Sequence, residues 1–133
     1  MIVCVSGGFD PLHIGHIDLL RSAARMGDVT VILNSDEWLG RKKGYRLMSW
    51  EDRAEILRSI KYVSKVIPVD DSDDTVCEAL ASFRPDLFLN AGDRVSPNDA
   101  ENKICTELNI GQAFDYSGKI RSSTKIIDSV RSI

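Results

Sequence analysis

The chain contains two histidines, and both fall in one short stretch, His13-Ile14-Gly15-His16, shortly after the glycine pair Gly7-Gly8. Three residues apart on the first turn of a helix, their imidazoles point the same way, across a Gly15 with no side chain to obstruct them. Gly7 and Gly8 let the backbone turn tightly and bring its N–H groups close to an anion. The helix N-terminus adds the positive end of its dipole. Glycines, two imidazole donors and a helix N-terminus suit a polyphosphate. The spacing differs from the GxGxxG dinucleotide fingerprint, and no GK[ST] follows as in a Walker A loop. Plainer readings compete: a histidine that caps or packs, a glycine pair that only turns, or a metal pair. Zinc needs three or four ligands, and no cysteine or third histidine lies nearby.

Other segments carry charge or hydroxyls. Arg41-Lys42-Lys43-Gly44-Tyr45-Arg46 packs four cations into six residues. It reads either as a solvated loop or as a phosphate-reaching loop hinged at Gly44, with closure over substrates. Ser122-Ser123-Thr124 opens the last helix with more hydroxyls than one cap requires. Asp10 and Asp93 suit a base, ribose or Mg²⁺, or else an Asx-turn in their own loops. Asp36 is placed to meet substrate hydroxyls. The run Asp70-Asp71-Ser72-Asp73-Asp74 reads as a solvated loop with helix N-terminal charge, far from any site.

The elements that position these groups follow from periodicity. Short apolar runs at Ile2 to Val5, Val29 to Leu33, Val66 to Val69, Leu87 to Leu89 and Ala113 to Tyr116 read as strands. Between them lie helix candidates, clearest at Thr75 to Phe83, where Val76, Ala79, Leu80 and Phe83 share one face. Ser49 before Trp50, with Asp52 three residues on, and Ser96-Pro97 mark two further helix starts. This alternation predicts an α/β fold: a single doubly wound, parallel five-stranded sheet, Rossmann-like, with helices on both faces. Pro68 cannot donate to a ladder, which puts the third strand at an edge, as in the order 3-2-1-4-5. Ligands of such folds bind beyond the carboxyl ends of the strands, where the order reverses.

With 133 residues, no linker and no internal repeat, the chain is expected to form one domain over 1–133. A hydrophobic fraction of 43% and a charged fraction of 28% exclude disordered, collagen-like and coiled-coil classes. The net charge of -3 argues against nucleic acid or an anionic membrane as main partner. No apolar run approaches a membrane span, and the N-terminal residues lack a signal-peptide pattern, so a cytoplasmic protein is expected. Cys4, Cys77 and Cys105 are odd in number and widely spaced, which fits buried thiols rather than disulfides or a zinc knuckle.

Gly8-Phe9-Asp10-Pro11-Leu12-His13-Ile14-Gly15-His16 resembles the HxGH signature of the cytidylyltransferase-like nucleotidyltransferases. The likeness continues through Asn34-Ser35-Asp36-Glu37, Lys42-Lys43, Glu51-Asp52-Arg53, Lys61-Tyr62-Val63, Gly92-Asp93-Arg94 and Ser122-Ser123-Thr124-Lys125-Ile126. The resemblance implies transfer of a nucleoside monophosphate from CTP or ATP to a phosphate monoester, with release of pyrophosphate, Mg²⁺ as cofactor and a homodimer. By the same resemblance His13, His16, Lys43 and Ser122 are expected to be catalytic. Gly7, Gly8, Phe9, Asp10, Gly15, Lys42, Gly92, Asp93, Arg94, Arg121, Ser123 and Thr124 are expected to bind the nucleotide. Asp36, Arg53 and Lys61 are expected to bind the second substrate, Arg53 having as its plain alternative a surface ion pair with Glu51 or Glu55. No side-chain metal cluster is expected; Mg²⁺ would ride on the triphosphate, with Asp10 as its one candidate ligand.

Three departures bear on substrate choice. Ser117-Gly118-Lys119-Ile120-Arg121 stands where cytidylyltransferases carry an arginine-threonine pair. Asn90-Ala91-Gly92-Asp93-Arg94 is closer to the turn of the ATP-using heptose 1-phosphate enzymes. Lys61 replaces an arginine of the glycerol-phosphate enzymes, giving a point charge without the planar fork, and Ser64 replaces a frequent aspartate. An acceptor other than glycerol 3-phosphate is expected. A nucleotide-binding regulatory module that has lost turnover is the rival from another class.

Overall fold

A computed structural model describes residues 1–91 and 98–115. The elements are β1 (Ile2–Gly7), α1 (Ile14–Met26), β2 (Asp28–Leu33), α2 (Asp36–Lys43), α3 (Trp50–Arg58), β3 (Lys65–Ile67), α4 (Cys77–Phe83), β4 (Leu87–Ala91), α5 (Asp99–Glu107) and β5 (Gly111–Asp115). The strands form one sheet in the order β3-β2-β1-β4-β5, and every neighbouring pair is parallel. This is the architecture expected from periodicity.

Alternation within the strands explains why both faces are covered. Val3, Val5, Val29, Val31, Leu33 and Leu89 face one core, which α1 and α3 complete with Leu19, Leu20, Ala23, Ala54 and Leu57. Their sequence neighbours Cys4, Ile32 and Phe88 face the opposite core, closed by Ala79 and Leu80 of α4 and Cys105 of α5. A side-chain period of two thus splits each strand between two apolar layers. Cys4 and Cys105 lie in that second core as free thiols, and burial pushes them up to about 12 and about 11.

Several boundaries differ from expectation. β1 runs on to Gly7, so Gly7 belongs to the strand and not to the loop. β3 covers Lys65–Ile67 and stops before Pro68, although it does occupy the sheet edge. α4 begins at Cys77, because Asp73 takes the Thr75 amide and hydroxyl in a turn and Glu101 takes the Val76 N–H. α5 is capped by Asn98, whose side chain accepts the Glu101 N–H, and the expected start at Ser96-Pro97 lies outside the described residues. Arg41, Lys42 and Lys43 are not loop residues. They form the last turn of α2, where cations complement the negative end of the helix dipole, and Gly44 ends the helix in the left-handed region with φ 80°.

The strand order reverses at β1, which has β2 on one side and β4 on the other. The segment from Gly8 to His13 leaves β1 at this point. Among the described residues no helix is long and apolar enough to cross a membrane.

Candidate active site

His13 is the N-cap of α1 and His16 is its third residue. The His13 Nδ1 accepts the Gly15 N–H at 3.1 Å, and the His16 Nδ1 accepts the His13 N–H at 3.1 Å. The pair forms a capping box built from two imidazoles in place of the usual Ser/Thr and Glu/Gln. Capping and ligand binding, competing readings in the sequence, are therefore compatible here. A nitrogen that accepts an N–H carries no proton, so both rings are fixed as Nε2–H tautomers with Nε2 directed away from the backbone.

The rings stack, with centroids 3.8 Å apart and planes 23° from parallel. The edge of Phe9 meets His16 on another side, 4.8 Å between centroids. Phe9 is buried and holds φ 50°, an uncommon conformation that turns the chain from β1 toward the helix. Burial first, then the electrostatic influence of the neighbouring His13 ring and the Lys43 ammonium, lower the His16 pKa to about 4. His16 is thus neutral at pH 7, and its Nε2–H is a donor without a positive charge.

Lys43 reaches from the last turn of α2 to donate to the Asp10 carbonyl at 2.8 Å. One of its three ammonium donors is used there, and two remain to meet an anion beside the histidines. The structure brings Gly8, Phe9, Asp10, His13, Gly15, His16 and Lys43 together at the carboxyl end of β1. Lys42 is exposed on the same helical turn, and nothing ties it to this group.

Three other expected ligands hold the site together through their own hydrogen bonds. Asp10 is 2% exposed, and its two carboxylate oxygens accept the Leu47 and Met48 N–H groups at 2.7 and 2.9 Å. It therefore ties the backbone at 47 and 48 to the end of β1 instead of fixing its own loop by an Asx-turn. Arg53 is fully buried and donates to the carbonyls of Met48, Gly8 and Asn34 and to the Asp36 carboxylate. It is no surface partner of Glu51 or Glu55, and its guanidinium joins the ends of β1 and β2 instead of facing solvent. Asp36 accepts from Arg53 at 2.7 Å and Arg46 at 2.6 Å. Burial draws the Asp36 pKa upward, but these hydrogen bonds prevail and hold the carboxyl below its ordinary range.

Lys61 is not brought to this group. It follows α3 on the return toward the amino-terminal end of the sheet, where the Ser64 N–H bonds the Val29 carbonyl, and its ammonium lies 5.3 Å from the Tyr62 ring. Gly92, Asp93, Arg94, Arg121, Ser122, Ser123 and Thr124 lie outside the described residues. Among the described residues no group of three or more metal-ligating side chains occurs.

Sequence reasoning missed Asp71. It is 3% exposed and accepts from Asn34 Nδ2 at 2.9 Å, Ser35 N at 2.9 Å and Ser35 Oγ at 2.6 Å. Burial raises its pKa, yet the bonds from Ser35 and Asn34 outweigh that and keep it ionised. The acidic run is thus partly a structural clamp. No spacing rule marks one aspartate among four as the buried one.

Comparison with known proteins agrees with this geometry. A cytidylyltransferase-like family model matches residues 4–128. The bifunctional protein HldE of Syntrophotalea carbinolica is 34% identical over 140 residues, covering 97% of this chain and 26% of that protein. The FAD synthase of Pyrococcus abyssi is 37% identical over 94 residues, 69% of this chain and 63% of its own length. The chain spans about a quarter of the HldE proteins that it matches. A lipopolysaccharide core biosynthesis protein from Thermoplasma volcanium shares the fold, with a TM-score of 0.71 at 24% identity over 86% of this chain and 94% of that one. The match extends from β1 into the segment beyond β5 and includes the histidine pair, and on that ground the chain belongs to the cytidylyltransferase-like family.

Proposed function

We propose that the chain is a nucleotidyltransferase that moves the adenylyl group of ATP onto the phosphate of a sugar phosphate and releases pyrophosphate. A phosphate monoester has its second pKa near 6, so at pH 7 it is already an anionic nucleophile and needs no general base. One of its oxygens forms a bond to the α-phosphorus while the bond from that phosphorus to the bridging oxygen breaks, and the electron pair leaves with pyrophosphate. Charge spreads over the phosphate oxygens in the transition state, and fixed donors stabilise it without reorganisation. His13 and His16 supply two Nε2–H donors and Lys43 a cation. Ser122, with Ser123 and Thr124, is assigned to the triphosphate by family resemblance alone.

The observation that carries this reading is the histidine capping box, which fixes both tautomers and aims both donors. ATP is preferred over CTP because of the sequence Asn90-Ala91-Gly92-Asp93-Arg94, which resembles that of the ATP-using enzymes, and because of the HldE relatives. Mg²⁺ belongs to the reading as a companion of the triphosphate. Asp10 is a poor fit as its ligand, since the carboxylate is buried and each of its oxygens already accepts a backbone N–H group, and no step is routed through the metal. A homodimer in the cytoplasm is part of the same proposal.

A second reading has FMN as acceptor. The Pyrococcus FAD synthase favours it, as do the exposed apolar side chains Ile14 and Leu47 beside His13 and Asp10. The test is pyrophosphate release with Mg²⁺ and each ribonucleoside triphosphate, crossed with heptose 1-phosphate, FMN, glycerol 3-phosphate and phosphocholine. Release that needs ATP and a sugar phosphate is expected. Release with CTP alone would replace the nucleotide, and nucleotide binding without turnover for any pair would leave a regulatory module.

A further inference from the structure

The turn from Asp71 to Asp74 grips helix α2 at both ends. At the N-terminal end, the Asp71 carboxylate receives the N–H and hydroxyl of Ser35, and Ser35 is the N-cap of α2 through its bond from the Trp38 N–H. In the last turn, Arg41 donates through Nη2 to the Asp71 carbonyl at 2.8 Å and to the Asp74 carboxylate at 3.0 Å, with a further Nε bond of 3.2 Å. The turn is itself closed by the Asp74 N–H on the Asp71 carbonyl at 2.9 Å, with Asp74 in the left-handed region at φ 64°.

Two residues after Arg41 stands Lys43, which reaches the Asp10 carbonyl. From Ser35 to Lys43 the helix rises by about 12 Å, so pivoting it by about 10° at the N-cap displaces Lys43 by about 2 Å. Misplacement on that scale is costly, since about 1 Å in a reacting constellation already lowers turnover by about 10²-fold. Asn34 reinforces the hold: its side chain donates to Asp71, its N–H to the Gly7 carbonyl, and its own carbonyl accepts from Arg53.

We infer that Asp71 is a positioning residue for the transfer reaction: through Ser35 and Arg41 it sets the axis of α2 and so the place of Lys43 beside the histidine pair. The inference rests on the adenylyl-transfer reading for its effect on turnover, but the clamp itself is read independently. Asp71→Asn keeps the shape but removes the charge, and it puts an amide N–H₂ where one oxygen accepts, either the Ser35 hydroxyl at Oδ1 or the Asn34 and Ser35 N–H groups at Oδ2. At saturating ATP and acceptor, D71N should lower kcat by 10- to 100-fold with KM for ATP changed by less than about threefold. In a K43A background the same substitution should lower kcat by less than twofold, because the group that it positions is gone. Arg41→Gln, which leaves the buried carboxylate in place, should reproduce the kcat loss in part. Hydrogen exchange should rise across residues 36–44 in D71N and stay unchanged in β1 and α1.

A full kcat loss repeated in the K43A background, or wild-type kcat in D71N, overturns the positioning role. Unchanged exchange over 36–44 overturns the clamp, whatever the turnover. A wild-type protein silent with every acceptor counts against the function reading alone, and the exchange measurement still decides the clamp.

Discussion

The imidazoles of His13 and His16 lie stacked 3.8 Å apart, and each gives its Nδ1 to a backbone N–H of the same first helical turn. One bond caps the helix and the other closes the box, so the local structure of α1 and the aim of both Nε2 donors are set together.

Cap and donor can be separated by substitution. Asn is as good an N-cap as any residue, so His13→Asn should leave the unfolding free energy within about 0.5 kcal/mol while turnover falls about 10²- to 10³-fold. His13→Ala should lose the same turnover and, in addition, about 1 kcal/mol of stability. Urea unfolding beside pyrophosphate release checks both, and full activity in the asparagine variant would remove His13 from the chemistry.

The low pKa of His16 makes stability pH-dependent in a definite direction. The unfolded chain protonates this imidazole near pH 6.5 and the folded chain only near pH 4, so the unfolded state holds more protons in between. Stability from this group is complete above pH 6.5 and declines as pH falls toward 4, by about 1–2 kcal/mol for a ring that keeps some solvent contact. His16→Gln preserves an N3 acceptor and should flatten that part of the profile, which urea midpoints at half-unit pH steps would reveal.

Arg53 is expected to matter for folding before it matters for substrate. Arg53→Met would strand the Gly8, Asn34 and Met48 carbonyls and the Asp36 carboxylate, at a cost of about 3–5 kcal/mol. Arg53→Lys keeps the charge but lacks the fork and should recover only part of this. If the lysine variant instead kept full stability and raised only the KM for the acceptor, Arg53 would be a substrate ligand.

Asp10→Asn removes one of two acceptors for the Leu47 and Met48 amides, and about 1–2 kcal/mol of stability should go with it. The Mg²⁺ concentration giving half-maximal turnover should not move. A tenfold rise in that concentration would return Asp10 to the metal.

Two glycines give opposite expectations. A Cβ on Gly8 would stand 2.7 Å from Leu39 Cδ2, and Leu39 is fully buried, so Gly8→Ala should cost about 1–3 kcal/mol and reduce turnover by displacing α2. Nothing lies within 4 Å of a Cβ on Gly40, inside α2, and Gly40→Ala should add about 0.5–1 kcal/mol. Thermal melts of the two variants should move in opposite directions.

Short apolar runs alternating with segments of helical period, such as the stripe ending at Phe83, are enough to read the parallel sheet, and Pro68 is enough to put β3 at its edge. The histidine spacing was legible too, because cap and first turn are local structure. Arg41 to Lys43 read as loop in the sequence because that stretch is polar, whereas the helix owes its place to Leu39, Ser35 and partners elsewhere in the chain. What the sequence alone determined was therefore what depends on neighbours within a few residues. Only the tertiary structure decided that Asp10 holds the backbone at 47 and 48, that Asp71 holds Asn34 and Ser35, and that Arg53 is a buried strut bonded to Gly8, 45 residues away. The physical reason is that a charged side chain looks the same in sequence whether water or a distant carbonyl solvates it. Only the packing of the strand ends against one another chooses between the two.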